Sequence, residues 1–177
     1  GPSTRTVTDA ALMLDVIAGP DERDRFSLTA MGERYAENVD KGVGGAKMAY
    51  TSTLGHAAAD VDVENLTRRA AFTYEMLDCK VTEIKPDLPN MENDLVNMIA
   101  AKTATMVDRR LEEWKNVMYP YYSKFLAIEQ GMKARDAIRI EYRRGELWKK
   151  MRKIFEQYDF LLTPVTAVPA FEIQPNA

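Results

Sequence analysis

The chain is 177 residues long, 46% apolar and 29% charged, with a formal net charge of −3, an ordinary globular composition with material for one core. That balance leaves no basic excess for nucleic acid or an anionic membrane surface, and the apolar runs fall far short of a bilayer span. One cysteine, Cys79, excludes an internal disulfide and fits a reducing, cytoplasmic compartment, while one histidine, His56, excludes a zinc site built on two or three histidines.

Residues 6–19 predict a helix. Ala10, Leu12, Met13, Val16 and Ile17 form an apolar stripe, Thr6 or Thr8 is placed to cap its start, and Gly19-Pro20 stops it. PDERDRFS, 20–27, reads as a polar loop, and a second amphipathic piece is expected over 28–40. A glycine-rich break at 42–45 precedes KMAYTS, 47–52, a short buried strand. Asp60-Val61-Asp62 signals a helix start, with Val63, Leu66, Ala70, Tyr74 and Leu77 recurring on one face. KVTEIKP, 80–86, alternates like a strand and ends at Pro86. Strand, helix, strand over this length predicts a βαβ unit with two parallel strands.

Residues 91–117 read as helical, with Leu95, Met98, Ile99 and Met106 on one side. Pro120 is expected to end or kink that region, ahead of a shorter helix over 121–130. A long helix follows over 134–158, its apolar stripe read as Ile138, Tyr142, Trp148, Met151, Ile154, Phe155 and Tyr158, and its basic residues as a solvated face. FLLTPV, 160–165, reads as a continuous, fully buried strand ending in a Thr-Pro turn. The fold class is therefore α/β and helix-rich, with a small, partly parallel sheet. Three short strands are too few to cover the apolar faces of this many helices.

No catalytic constellation emerges from residue types and spacing. His56 lies in a loop, LGHAAAD, and reads as an exposed loop histidine; Cys79 reads as a small buried hydrophobe. The glycines at 42–45 lack the lysine of a P-loop and precede a strand instead of following one. Asp21, Glu22 and Asp24 sit in a polar loop, where nothing raises a carboxyl toward general-acid work. A Ser-Lys nucleophile needs a serine on a glycine-rich turn, and none of Ser3, Ser27, Ser52 or Ser123 has that setting. No metal ligands, cofactor motif or catalytic residues are assigned.

Three stretches nevertheless resemble one family. GPSTRTVTDAALMLDVIAGPDERD is similar to the G-P-x-T-R-T-V block of the amidase signature family. KMAYTSTLG with VDVENLTRRAAFTYEML resembles the strand, turn and helix that follow in that family, and YDFLLTPVTAVPAF resembles its later strand and Thr-Pro turn. Residues 87–157 match it in helical character alone. The resemblance implies an α/β/α fold that hydrolyses carboxylic amides through a Ser-Ser-Lys triad, with glycine-turn N–H groups holding the oxyanion. The triad and its turn belong to segments before the G-P-x-T-R-T-V block. The resemblance thus implies that residues 1–177 are a single partial domain, an interior to C-terminal portion of the fold without the catalytic segment, inactive alone.

On the same basis, Thr4, Arg5, Thr163 and Pro164 are candidates for supporting or lining a substrate pocket. Cys79 stands where the family often has a helix-ending glycine. The implied partners are a small amide substrate and, through uncovered apolar faces, a second copy of the chain; no nucleic acid, membrane or cofactor is expected. Two other readings remain open: the A subunit of a glutamyl-tRNA amidotransferase, and a non-catalytic binding or scaffold protein derived from the amidase fold.

Overall fold

The computed structural model describes residues 2–29, 32, 34–107, 110–114 and 116–172. They form two compact units, 1–45 and 46–177.

In the first unit, helix α1 spans Val7–Ile17. Thr6 is extended, and its Oγ1 accepts the Asp9 N–H at 3.1 Å, so Thr6 and not Thr8 is the cap. At the other end Gly19 sits at φ +141° ahead of Pro20, a pairing that denies the helix another turn. The helix expected over 28–40 is reduced, among the described residues, to a 3₁₀ turn over Tyr35–Asn38; residues 30, 31 and 33 lie outside them. Gly32 at φ +76° and an extended Arg34 break the helical path. The turn forms where Asp15 of α1 can cap it. The buried Asp15 carboxylate accepts the N–H groups of Tyr35 at 2.6 Å and Ala36 at 3.4 Å, with the Arg34 guanidinium 3.7 Å away.

The second unit is built on three strands: β1 Lys47–Tyr50, β2 Lys80–Glu83 and β3 Phe160–Leu162. Their order is β2-β1-β3 and both pairings are parallel, with Met48 beside Val81 on one side and Phe160 on the other. Met48, Ala49 and Tyr50 of the central strand are all buried, as their uninterrupted apolar character predicts. Asp159 sets the register of β3: its N–H donates to the Lys47 carbonyl and its carboxylate accepts the Lys47 N–H, both at 2.8 Å. The strand read as fully buried over 160–165 is shorter and lies at an edge of this sheet, with Phe160 46% exposed. An edge strand has a neighbour on one side only, so apolar character alone does not bury it.

The predicted βαβ unit is present. Helix α2, Val61–Thr73, crosses from β1 to β2, capped by the Asp60 carboxylate on the Asp62 N–H at 2.9 Å. It tightens into a 3₁₀ turn over Tyr74–Leu77 and ends at Asp78, which takes the left-handed conformation at φ +60°. The helix-ending position is therefore Asp78 and not Cys79. Asp tolerates that conformation better than most side chains. Cys79 is the next residue, buried, on the way into β2.

Helices α3, Glu92–Val107, α4, Leu111–Trp114, α5, Pro120–Leu126, and α6, Ala134–Phe155, complete the unit. Pro120 starts α5 instead of ending the segment before it; its fixed φ and missing N–H suit the first helical turn. A 3₁₀ turn over Ala127–Gly131 completes the piece expected over 121–130.

The helices turn small residues inward. Ala11 of α1, Ala71 of α2 and Ala100 of α3 are buried. Leu66 and Leu77, read as the buried stripe of the crossover helix, are exposed, as are Leu95, Ile99 and Met106 of α3. In α6, Ile140 is buried and Leu147, Met151 and Ile154 are half-buried, whereas Ile138, Tyr142, Trp148 and Phe155 face solvent. The single stripe read from the α6 sequence is two faces, of which one is covered in this chain.

Candidate functional site

In an open parallel sheet, ligands collect at the carboxyl ends of the strands, at the point where the strand order reverses. Here the order reverses beside β1: the chain passes from β1 to β2 on one side and then crosses back to β3 on the other. The ladder continues one rung past each strand. The Thr51 N–H donates to the Leu162 carbonyl at 3.1 Å, and the Ile84 N–H donates to the Tyr50 carbonyl at 2.8 Å. Thr51 thus lies between Ile84 and Thr163 in one row across the sheet. Thr51 is buried, Thr163 is exposed and Pro164 is half-buried.

The chain then turns back at each strand end. After β1, the N–H groups of His56 and Ala57 both donate to the Thr53 carbonyl, at 3.1 and 2.7 Å. Leu54 and Gly55 carry positive φ, +53° and +86°. His56 is exposed. After β3, the Ala167 carbonyl accepts the Asp60 N–H at 2.8 Å, which ties the segment beyond Thr163-Pro164 to the start of α2. The structure therefore brings Thr163 and Pro164 together with the 51–57 turn, a neighbour that the sequence reading does not assign to them.

Thr4 and Arg5 belong to the first unit. Thr4 Oγ1 donates to the Thr6 carbonyl at 2.8 Å, and both residues line an open hollow with Pro2, Ser3 and Asp9 just ahead of α1. Arg5 is exposed, and among the described residues no ion pair or hydrogen bond holds its guanidinium. In the polar loop that follows α1, the Arg23 guanidinium hydrogen-bonds Asp21 at 2.7 and 3.0 Å and holds its carboxyl below the usual range, with the Arg23 N–H adding to the effect. Asp21 is thus a standing anion and not a proton donor.

Two cations of α6 do not lie on the solvated face read from the sequence. Arg143 Nη2–H donates to the Asn90 carbonyl at 2.9 Å, and its Nη1 lies 2.8 Å from Asp94 Oδ2. That oxygen is buried and has the ion pair but no well-aligned hydrogen bond. Lys150 Nζ donates to Asp87 at 2.6 Å, and this bond, followed by the charge attraction, pulls the Asp87 carboxyl below its ordinary value. Arg144, Lys149 and Arg152 pair within the helix, with Glu141, Glu146 and Glu156.

Among the described residues no serine hydroxyl is hydrogen-bonded to a lysine; Ser27, for example, is taken up by the Asp21 and Asp24 backbone. Nor do three His, Cys, Asp or Glu side chains converge as a metal shell among them. No described helix is long and apolar enough to cross a membrane.

Comparison with known proteins agrees with this architecture. The family model described as Amidase matches residues 1–177, and the chain belongs to that family. An acylamidase of Rhodococcus erythropolis is 29% identical over 100% of this chain and 38% of its own length. The A subunit of the glutamyl-tRNA(Gln) amidotransferase of Myxococcus xanthus is 29% identical over 98% of this chain and 41% of its own length. Among solved structures, a bacterial aryl acylamidase of the amidase signature family superposes with a TM-score of 0.87 at 23% identity, over 98% of this chain and 38% of that one. The corresponding amidotransferase protein from Thermotoga maritima gives 0.64 at 23% identity, over 96% and 37%. These likenesses establish the fold as that of the amidase-signature enzymes. The chain spans 38% to 41% of the length of these two curated relatives.

Proposed function

We propose that this chain is the sheet-and-helix portion of an amidase-signature hydrolase, a protein that adds water across the C–N bond of a carboxylic amide to give an acid and ammonia. One observation carries the proposal: the family model covers residues 1–177, yet none of the four serines sits on a glycine-rich turn. The nucleophilic serine, the relay serine and the lysine base are then supplied by other sequence, and the chain alone is inactive. Its own contribution is the row at the carboxyl edge. Thr163 and Pro164 border the substrate crevice, while Thr4 and Arg5 buttress the catalytic region from behind.

The substrate is a small carboxylic amide. The likeness to amidotransferase proteins favours a second reading, in which amide nitrogen passes to an acceptor through partner subunits. A scaffold derived from the fold is the reading from another class. The chain works in the cytoplasm, needs no cofactor and has no nucleic-acid or membrane partner. The exposed apolar faces of α2, α3 and α6 favour self-association when nothing else covers them.

The coding sequence on either side tests the proposal. An upstream lysine and a Gly-Ser-Ser-Gly type turn in the same frame are expected; a frame without them favours the scaffold. Solution scattering of the purified chain should report a concentration-dependent mass. A monomer at all concentrations would remove the self-association claim.

A further inference from the structure

The segment that leaves β2 has a grip on each side. Beyond Ile84 it forms a strap, residues 85–91, with Leu88 buried at its middle. On one side the strap bears on the turn after β1. A Cβ built on Gly55 would meet the Pro86 carbonyl oxygen at 1.8 Å, so two backbones touch there with no side chain between them. On the other side α6 holds the strap and the start of α3, through Arg143 on Asn90 and Asp94 and Lys150 on Asp87. Arg143 and Lys150 are two turns apart and share a helix face.

The two grips differ in strength. The Asp87 side chain is 98% exposed, and a pair so open to water and salt holds little. The Asp94 side chain is 12% exposed. Arg143 places one nitrogen beside that carboxylate and another on a strap carbonyl, which a lysine cannot do at once. Gly55 meanwhile sits at φ +86°, a conformation that glycine takes without strain and that leaves room for the Pro86 backbone.

We propose that Arg143 is a positioning residue: through the strap and the Gly55–Pro86 contact, it fixes the turn over 53–57 at the carboxyl edge of the sheet. The connection is a run of direct contacts, from α6 to Asn90, along the strap to Pro86, and onto Gly55. It does not depend on the amidase reading, because every contact lies within this chain.

The chain carries its own reporter. His56, its one histidine, lies in the positioned turn, so its ring C–H signals are unique in a proton NMR spectrum of the full chain. In Arg143→Met we expect these signals to shift. Hydrogen exchange at the His56 and Ala57 amides should rise about tenfold or more, while Lys80 and Ile84 in the sheet ladder keep their protection. Arg143→Lys keeps the charge beside Asp94 and therefore folds, but loses the Asn90 carbonyl. It should move the His56 signals in the same direction by less. A merely structural role would loosen the sheet amides as much as the turn, and that pattern would overturn the proposal. So would an unmoved His56 signal in folded Arg143→Met, or in Arg143→Lys should the methionine variant not fold.

Discussion

Tyr50 offers the sharpest energetic test of the second unit. It is the last residue of the central strand and 1% exposed. Its ring meets Phe72 of α2 edge-on at 6.5 Å between centroids, and its hydroxyl lies 2.9 Å from Thr67 Oγ1. Tyr50→Ala empties a fully enclosed aromatic site, a change that costs about 3–5 kcal/mol in typical cores. Tyr50→Phe removes the hydroxyl alone. Thr67 Oγ1 keeps its bond to the Val63 carbonyl at 2.7 Å, so no donor is orphaned. The loss should be about 1 kcal/mol, that of one neutral hydrogen bond. Urea unfolding followed by circular dichroism separates the two. With a slope of about 2 kcal/mol per molar, Tyr50→Phe moves the midpoint by about 0.5 M and Tyr50→Ala by roughly 2 M. Equal midpoints for the two variants would refute the assignment of this core to ring burial. A shift under about 0.5 M for Tyr50→Ala would show that β1 is not the centre of the unit.

Other positions give smaller effects. Asp60→Ala removes the α2 cap and should cost about 1 kcal/mol in the same assay, with Asp60→Asn recovering most of it. Asp15→Ala leaves the N–H groups of Tyr35 and Ala36 without their acceptor; faster exchange at those two amides, with the α1 interior unchanged, is the expected result. The Asp87 carboxyl is held low in the folded chain by Lys150, so its contribution is present above its unfolded pKa and is lost as pH falls through the lower folded value. A carboxyl-detected NMR titration should show an Asp87 midpoint below the ordinary aspartate value, and Lys150→Met should return it there.

Local signals in the sequence carry much of the fold. Thr6 and Asp60 cap helices where their side chains suggest it, because a cap is decided within three residues. The βαβ unit, the buried β1 and the long α6 follow from periodicity and length. Apolar faces are the poor guide. Leu66, Leu95 and Trp148 read as core, yet all three are exposed in this chain, while Ala71 and Ala100 are buried. Burial depends on which elements are present to cover a face, and that is not encoded within the face itself. Distant contacts are illegible for the same reason. Arg143 and Lys150 look like any solvated cations until Asp94 and Asp87 arrive from about fifty or more residues away. At the candidate site, the Thr163-Pro164 turn is legible as the end of a strand. Its neighbour, the Gly55 turn under Pro86, depends on a backbone approach that no motif announces.

An amidase-family chain with no serine on a glycine-rich turn should lack its own nucleophile, and the proposed inactivity of the chain alone rests on that. Ammonia release by the purified full chain, across aliphatic and aryl carboxamides, decides it. No release above the rate without protein is the expected result. Steady turnover that copurifies with the chain through successive columns would contradict it, and would mean that one of Ser3, Ser27, Ser52 or Ser123, or a different nucleophile, does the chemistry.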